Sequence, residues 1–308
     1  MADVGLARLG IEFPSPVVLA SGPAGFGCEL ASAMAFQRLG ALTTKTITLE
    51  PRRGNAQPRL VDCPAGALNS IGLENPGYEA FVERVYPKVA DLPVRRFFSV
   101  AAASVADLCA LLHRARALDG FDAIELNLSC PNLGGAIPGA DAATVGEYVR
   151  AAVSEANLPL LVKLPGDSGN LVQSCDRALT EGASGVTLIN SVRGLRVDWT
   201  SGQPFLDRMY GGLSGSAILP IALARVFEVR RAFPDVLIVG TGGVNSLGSL
   251  LEMLMAGADL VGIGFGLMVD PELPQRLVDE LELWMDELGV RAVDELVGTA
   301  QRGGLDVH

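Results

Sequence analysis

The feature that most limits the fold of this chain is the alternation of short apolar runs with longer helical patterns. The runs are rich in Val, Ile, Leu and Ala, and none shows the polar alternation of a strand with one wet face. Such strands are typical of a parallel sheet buried on both faces. We predict eight of them: Val17–Ser21, Ala41–Thr48, Phe97–Ala102, Ala123–Ser129, Leu158–Leu164, Gly185–Asn190, Val236–Gly242 and Leu260–Gly264.

A helical pattern follows each predicted strand. Eight such units are the count of a (β/α)8 TIM barrel, whereas an open doubly wound sheet usually stops at about six strands. We therefore expect an α/β fold, one catalytic (β/α)8 domain over residues 1–308, with a small hairpin at Leu6–Phe13 and a short C-terminal helix at Ala292–Ala300. The helical patterns cover Glu29–Leu39, Tyr78–Val89, Ser104–Leu118, Ala142–Ala156, Leu171–Glu181, Ala217–Phe233, Leu247–Ala256 and Pro271–Leu288.

The charge and cysteine content exclude several classes of protein. A net charge of −11 argues against nonspecific binding to nucleic acid or to an anionic membrane. No apolar stretch approaches the roughly 18–20 residues of a membrane span, and the start of the chain lacks the pattern of a signal peptide. The 5 cysteines are scattered and form no C-x-x-C pair. We therefore expect no metal or iron–sulfur site in this chain, and a cytoplasmic location.

Cys130 is the first candidate for a proton acceptor. It follows the predicted strand Ala123–Ser129 directly, has asparagines nearby on both sides, and precedes a glycine-rich loop. Histidine, the usual base, is nearly absent, because His113 lies in a helical pattern and His308 ends the chain. A buried structural thiol is the alternative reading of Cys130, but the neighbouring amides would then need other polar partners.

Two lysines interrupt otherwise apolar predicted strands. A lysine in such a strand must place its ammonium at the barrel mouth or pair with a buried acid. The first possibility, for Lys45 and Lys163, predicts an anionic ligand at the carboxyl ends of the strands, where barrels build active sites. The second possibility is a structural ion pair at each position.

Glycines collect at the ends of the last two predicted strands. Gly242, Gly243 and Gly264 lie where barrels bind phosphate through backbone N–H groups, and the run Gly211–Gly215 is a further candidate for an anion-binding nest. Together with the lysines, these glycines favour a phosphorylated cofactor. The chain has no dinucleotide fingerprint, because Leu267 stands where its third glycine would be.

The run Asn127–Asn132, with the sequence NLSCPN, resembles the catalytic loop of the class 1 dihydroorotate dehydrogenases. These are FMN-binding barrels that oxidise dihydroorotate to orotate. Class 2 members carry serine as the base and an N-terminal membrane-associating extension, and neither is found here. The resemblance covers roughly residues 5–290, and its other blocks are Lys45–Arg52, Asn69–Gly77, Leu188–Ser191, Gly211–Gly215 and Gly240–Gly243.

Within class 1, the loop after Cys130 is similar to that of the 1B branch. It contains Gly134-Gly135 and then Gly139-Ala140-Asp141. The resemblance implies a catalytic subunit that works with an FAD and iron–sulfur subunit, which passes electrons to NAD. The 1A branch, a fumarate-reducing homodimer, also lacks an NAD fingerprint and a cysteine cluster. The assignment to 1B rather than 1A therefore depends mainly on the loop pattern. We expect a homodimer, or a heterotetramer with such an electron-transfer subunit.

The resemblance also implies the roles of individual residues. Cys130 would remove the C5 proton of dihydroorotate while C6 gives hydride to flavin N5, and Lys163 would stabilise the anionic reduced flavin. Amide side chains suit the substrate ring because each offers a donor and an acceptor. The implied substrate contacts are Lys45, Asn69, Ile71, Gly72, Leu73, Asn127, Asn132, Asn190 and Ser191. The implied FMN contacts are Ala20, Ser21, Lys45, Thr46, Asn127, Lys163, Ile189, Ser214, Gly215, Gly242, Gly243, Gly264 and Phe265.

Some positions have a structural reading instead. Asn75 is expected to be a turn residue before Pro76 rather than a ligand, and Asp141 a helix N-cap rather than an acid. The other four cysteines, at positions 28, 63, 109 and 175, are expected to be structural thiols.

Several positions depart from the family pattern, among them Phe265, Arg193 and Arg196. Phe265 stands where a small residue usually follows the glycine of the last strand, and Arg193 and Arg196 occupy a loop that is usually apolar. Two alternatives to dihydroorotate oxidation therefore stay open. One is a related FMN barrel that acts on another cyclic amide or dihydropyrimidine. The other is a noncatalytic FMN-binding subunit, against which the intact Cys130 argues.

Overall fold

Eight parallel strands close into a barrel, as the alternating pattern predicts. The computed structural model describes residues 2–129 and 137–305. The strands in those residues are β1 (Leu6–Arg8), β2 (Ile11–Phe13), β3 (Val17–Leu19), β4 (Ala41–Thr43), β5 (Leu60–Cys63), β6 (Gly66–Asn69), β7 (Arg95–Val100), β8 (Ala123–Asn127), β9 (Leu160–Lys163), β10 (Gly185–Leu188), β11 (Val192–Leu195), β12 (Tyr210–Ser214), β13 (Leu237–Thr241) and β14 (Leu260–Ile263). The barrel runs in the order β3-β4-β7-β8-β9-β10-β13-β14 and returns to β3.

Helices cover the outside of this barrel. They are α1 (Tyr78–Arg84), α2 (Tyr86–Ala90), α3 (Val105–Ala115), α4 (Ala142–Glu155), α5 (Leu171–Thr180), α6 (Leu219–Ala232), α7 (Leu247–Ala256), α8 (Phe265–Val269) and α9 (Leu273–Leu288). The predicted fold class, a (β/α)8 TIM barrel, is therefore confirmed. No helix among the described residues is long and apolar enough to span a lipid bilayer.

Three predicted helices differ from those observed. The segment Glu29–Leu39 contains only short 3₁₀ turns, and its buried Met34 and Phe36 are two residues apart, a spacing that does not place them on one face of an α-helix. The predicted helix over Tyr78–Val89 divides into α1 and α2, with a proline in the first turn of α2 that has no N–H to continue the helix. The tail over Ala292–Ala300 forms two 3₁₀ turns around Gly298, whose φ is 72°.

The amino-terminal hairpin of β1 and β2 closes the bottom of the barrel, as predicted. Leu6 and Phe13 on the hairpin pack against side chains inside the barrel, including Val18, Phe97 and Leu161. The rings of Phe13 and Phe97 meet edge to face, with their centres 6.1 Å apart. Because this end is filled with apolar side chains, a ligand can enter the barrel only from the opposite end.

A four-stranded antiparallel sheet, absent from the sequence prediction, lies at that opposite end. Its order is β11-β12-β6-β5. The run Gly211–Gly215, expected as a loop before a helix, mostly forms β12, and only Gly215 lies beyond the strand. The predicted helix over Ala217–Phe233 begins slightly later, as α6. This sheet provides one wall of the cavity described next.

Candidate active site

A cavity of about 1120 Å³ opens at the carboxyl ends of the barrel strands, under the four-stranded sheet. Cys130 and Asn132 lie outside the described residues, so the structure does not test them. All the other candidate residues line the cavity. These are Ala20, Ser21, Lys45, Thr46, Asn69, Ile71, Gly72, Leu73, Asn127, Lys163, Ile189, Asn190, Ser191, Ser214, Gly215, Gly242, Gly243, Gly264 and Phe265.

The two lysines approach the cavity from different parts of the barrel. Lys163 ends β9 and is 5% exposed, whereas Lys45 is half-buried and follows β4, which is shorter than predicted. Neither ammonium forms an ion pair with an acid in the part of the chain that the structure describes. This favours the anionic-ligand reading of both lysines over structural ion pairs, because a buried cation requires a negative or polar partner.

The glycines after β13 and β14 offer unused backbone donors. The N–H groups of Gly242, Gly243 and Gly264 have no hydrogen-bond acceptor within residues 2–129 and 137–305. Gly243 has a φ of 86°, and a Cβ there would lie 2.6 Å from the Cβ of Leu219 on α6. Only glycine therefore fits between the strand end and this helix. Backbone N–H groups without an acceptor at the edge of a cavity are suited to bind phosphate oxygens.

Amide side chains line another part of the cavity and are held by hydrogen bonds. The Asn127 amide nitrogen donates to Thr46 Oγ1 at 3.2 Å, and its oxygen accepts from Ser129 Oγ at 2.7 Å. Asn190 Nδ2 donates to Ser129 Oγ at 2.5 Å. Asn69 Nδ2 donates to the carbonyl oxygen of Gly212 at 3.2 Å. The described asparagines predicted to bind the substrate therefore meet in one cavity, although they come from β6, β8 and the end of β10.

Two residues read as structural from the sequence are structural in the fold. Asn75 is buried, and its side-chain oxygen accepts from the backbone N–H groups of Thr48 and Gly77 at 3.2 and 2.9 Å. Asp141 caps α4 by accepting from Thr144, and these hydrogen bonds lower the pKa of its carboxyl group.

The described cysteines lie away from the cavity. The side chains at positions 28, 63, 109 and 175 are free thiols, and none lines the cavity. Cys175 lies on the buried face of α5, and burial raises the pKa of its thiol to about 12. These observations support the structural reading of the four thiols.

Several cavity residues were not among the sequence candidates. Ser129 bridges two of the asparagines, and its only sequence signal is its place inside the NLSCPN run. Arg208 and Tyr210 reach the cavity rim from the unpredicted sheet and the loop before it. Arg193 also lines this rim, with its guanidinium carbon 3.9 Å from the ring centre of Tyr210.

Comparisons with known proteins bear on this site. The family model described as dihydroorotate dehydrogenase matches residues 6–285. The chain is 36% identical over 301 residues to the catalytic subunit of dihydroorotate dehydrogenase B (NAD(+)) of Desulforudis audaxviator, which covers 97% of this chain and 98% of that protein. It is also 36% identical over 306 residues to an Aquifex aeolicus protein provisionally named dihydroorotate dehydrogenase A (fumarate), covering 97% of this chain and 99% of that protein.

A solved structure shares the fold. A crystal structure of DHODH from Eimeria tenella in complex with ferulenol superposes with a TM-score of 0.80 at 20% identity, covering 97% of this chain and 89% of that one. At this identity the likeness supports the barrel architecture alone.

Proposed function

The chain belongs to the dihydroorotate dehydrogenase family of oxidoreductases, and we propose that it catalyses the FMN-dependent oxidation of dihydroorotate to orotate. The observation that carries the proposal is the meeting, in one cavity, of three groups: lysines with no acid partner among the described residues, glycine N–H groups with no acceptor among those residues, and ordered asparagines. A related flavin barrel with a different substrate would need the first two features but not this set of amides.

The residues present fit FMN by the chemistry of their donors. The backbone donors of Gly242, Gly243, Gly264 and Phe265 would hold the phosphate, and Lys163 offers a buried positive charge for the ring system. Further contacts would come from Ala20, Ser21, Lys45, Thr46, Asn127, Ile189, Ser214 and Gly215, all of which line the same cavity. When bound, FMN would supply the hydride acceptor at N5.

The protein residues would bind and deprotonate the substrate. Cys130 would accept the proton from C5, which requires a thiolate at the moment of transfer. Asn69, Asn127 and Asn190, with Asn132 and Ser191, would hydrogen-bond the ring N–H and C=O groups. Lys45 would pair with the substrate carboxylate. Ile71, Gly72 and Leu73 would form the wall against the ring, because they follow β6 along the cavity edge.

An anaerobic titration of the purified protein with dihydroorotate tests this function. We expect a yellow protein whose flavin absorbance bleaches as dihydroorotate is added. Bleaching only by other cyclic amides or dihydropyrimidines would support the second candidate, a related flavin barrel with a different substrate. Arg193 favours that candidate, because it lines the cavity in a loop that is usually apolar in the family. A protein that binds no flavin, or a flavin inert to all of these compounds, would contradict the proposed activity.

We propose that the chain is a 1B-type catalytic subunit. The loop after Cys130 supports this assignment, whereas the equal identities to relatives named A and B do not discriminate. The chain alone should reduce NAD only weakly, and an added FAD and iron–sulfur subunit should restore the rate. Fast NAD turnover without any partner would contradict the assignment.

We also propose that the chain assembles as a homodimer or as a heterotetramer with that subunit. Exposed apolar side chains on and after β11 support an interface, among them Leu195, Val197 and Trp199, the last of which is 90% exposed. The free thiols at the four described cysteines support the cytoplasmic location expected from the sequence. The contact of Arg8 with Asp294 supports one domain over residues 1–308, because it joins the hairpin to the C-terminal segment.

A further inference from the structure

Glu125 is a buried carboxylate that the proposed reaction does not use. It lies on β8, two residues before Asn127, and is 2% exposed. Ser99 Oγ donates to one carboxylate oxygen at 3.3 Å, and Thr187 Oγ1 donates to the other at 3.0 Å. Glu125 forms no ion pair with any described residue. Two neutral hydroxyl donors offset only part of the free-energy cost of removing a carboxylate from water. A positive charge close by would therefore be needed to stabilise it.

Lys163 is the buried cation nearest to it in the strand register. Glu125 pairs with Leu161 and Asn127 pairs with Lys163, so Glu125 and Lys163 are diagonal neighbours on the inward faces of β8 and β9. The spacing of strands and residues places the Cα atoms of such neighbours about 8 Å apart. Thr187, which donates to Glu125, is itself the β10 partner of Lys163.

The two side chains carry opposite charges and do not form an ion pair with each other. Each is at least nine-tenths buried and each lacks an ion pair among the described residues. Charges separated by several ångströms of barrel interior interact strongly, because little water screens them. A bound anion that lies close to the Lys163 ammonium is therefore also repelled by the carboxylate of Glu125.

We propose that Glu125 is the buried counter-charge of Lys163 and sets how strongly the site prefers reduced, anionic flavin over oxidised flavin. Glu125 lines no part of the cavity, so it acts through Lys163 and touches neither substrate nor cofactor. This inference rests on the proposed use of FMN. Lys163 raises the reduction potential of the bound flavin, and Glu125 holds it down.

The reduction potential of bound FMN tests the proposal. We expect Glu125→Gln, which keeps the shape but removes the charge, to favour reduced over oxidised FMN by at least about tenfold, a rise of about 30 mV for a two-electron couple. The matched control is Thr187→Val, which removes one hydroxyl donor from the same carboxylate and leaves its charge. That control should shift the ratio less than about threefold, or roughly 15 mV. An unchanged potential in Glu125→Gln, or an equal shift in both variants, would overturn the proposal.

A second measurement needs no flavin and covers the case in which Glu125→Gln is too unstable to load with cofactor. Each single variant, Glu125→Gln or Lys163→Gln, leaves one buried charge uncompensated, so each should lower the melting temperature. The double variant should recover part of that loss, and additive losses would overturn the pairing of the two charges. In the potential measurement, FMN can be reduced photochemically instead of by dihydroorotate. A wild-type protein that binds FMN but is not reduced by dihydroorotate would therefore refute the proposed substrate and leave this test possible.

Discussion

Replacing Asn75 by alanine should destabilise the protein and weaken substrate binding together. The amide of Asn75 joins the segment after β4 to the segment after β6. Its oxygen accepts from the backbone N–H groups of Thr48 and Gly77, and its nitrogen donates to the carbonyl oxygen of Leu73 at 2.7 Å. Leu73 has a φ of 55°, which is unfavourable for a residue with a Cβ and therefore needs such support.

The size of the effect follows from the groups left without partners. Asn75→Ala removes the hydrogen-bond partners of two backbone N–H groups and one carbonyl group, in a place where Asn75 itself is 6% exposed. An orphaned buried group costs about 1–3 kcal/mol, and taking the lower part of that range for each group gives about 3–5 kcal/mol. With an unfolding entropy of about 2.1 cal/mol/K per residue, a chain of 308 residues should melt about 5–8 °C lower.

Two assays on the FMN-saturated protein check this prediction. Thermal unfolding measures the loss of stability, and orotate-induced changes in flavin absorbance measure the dissociation constant of orotate. We expect orotate to bind about tenfold more weakly, equivalent to about 1.4 kcal/mol, because Ile71 to Leu73 lose their anchor. The matched control is Asn170→Ala, since Asn170 is exposed and caps no helix with its side chain. A melting temperature within about 1 °C of the wild type would refute the reasoning, because it would mean that water replaces all three partners without loss.

Three further predictions concern single side chains. Cys130→Ala should keep FMN but slow its reduction by dihydroorotate by about 10²–10⁴-fold in stopped-flow experiments, and an unchanged rate would exclude this thiol as the base. Cys175, whose pKa is raised to about 12 by burial, should resist iodoacetamide at pH 8 in the native protein and react in urea. Equal labelling in both states by peptide mapping would contradict its burial. Asp141 has a lowered pKa in the folded protein, so its stabilising effect should be present above its unfolded pKa and disappear as the pH falls through the folded value. The difference in melting temperature between wild type and Asp141→Ala should therefore shrink on acidification, whereas the difference between Asp141→Ser, a neutral cap, and Asp141→Ala should show no such trend.

The barrel could be predicted because its strands carry a strong and simple signal. Each of β8, β9 and β10 is a continuous buried run, which is what a parallel strand covered by helices requires. The sheet over the mouth gave no such signal. β5 is half exposed, and β12 contains two glycines, so neither has the apolar pattern or the β-branched content that marks a strand.

The residues that line the cavity could be predicted from their place at the strand ends and from the resemblance. The hydrogen bonds between them could not. Thr46, Asn127 and Ser129 lie in two separate segments, and only the closed barrel brings them within hydrogen-bond distance. Glu125 reads from the sequence as an isolated acid in an apolar strand. Its partners, Ser99 and Thr187, lie on β7 and β10, so nothing local in the sequence pointed to them.

The order of strands in the barrel separates two kinds of binding chemistry. β14, which leads to Gly264, and β8, which carries Asn127, are four strands apart in the ring of eight and so lie on opposite sides of the mouth. The side of Gly264 offers a backbone donor for phosphate, and the side of Asn127 offers an amide for a polar ring. A phosphorylated cofactor anchored at the first side must extend across the mouth to reach Lys163, which neighbours β8, and the substrate must then meet its far end. Substitutions around Gly264 should therefore weaken FMN binding, whereas substitutions of Asn127 should weaken orotate binding more than FMN binding. Equal effects on both ligands from both sides would show that the two halves of the cavity do not act separately.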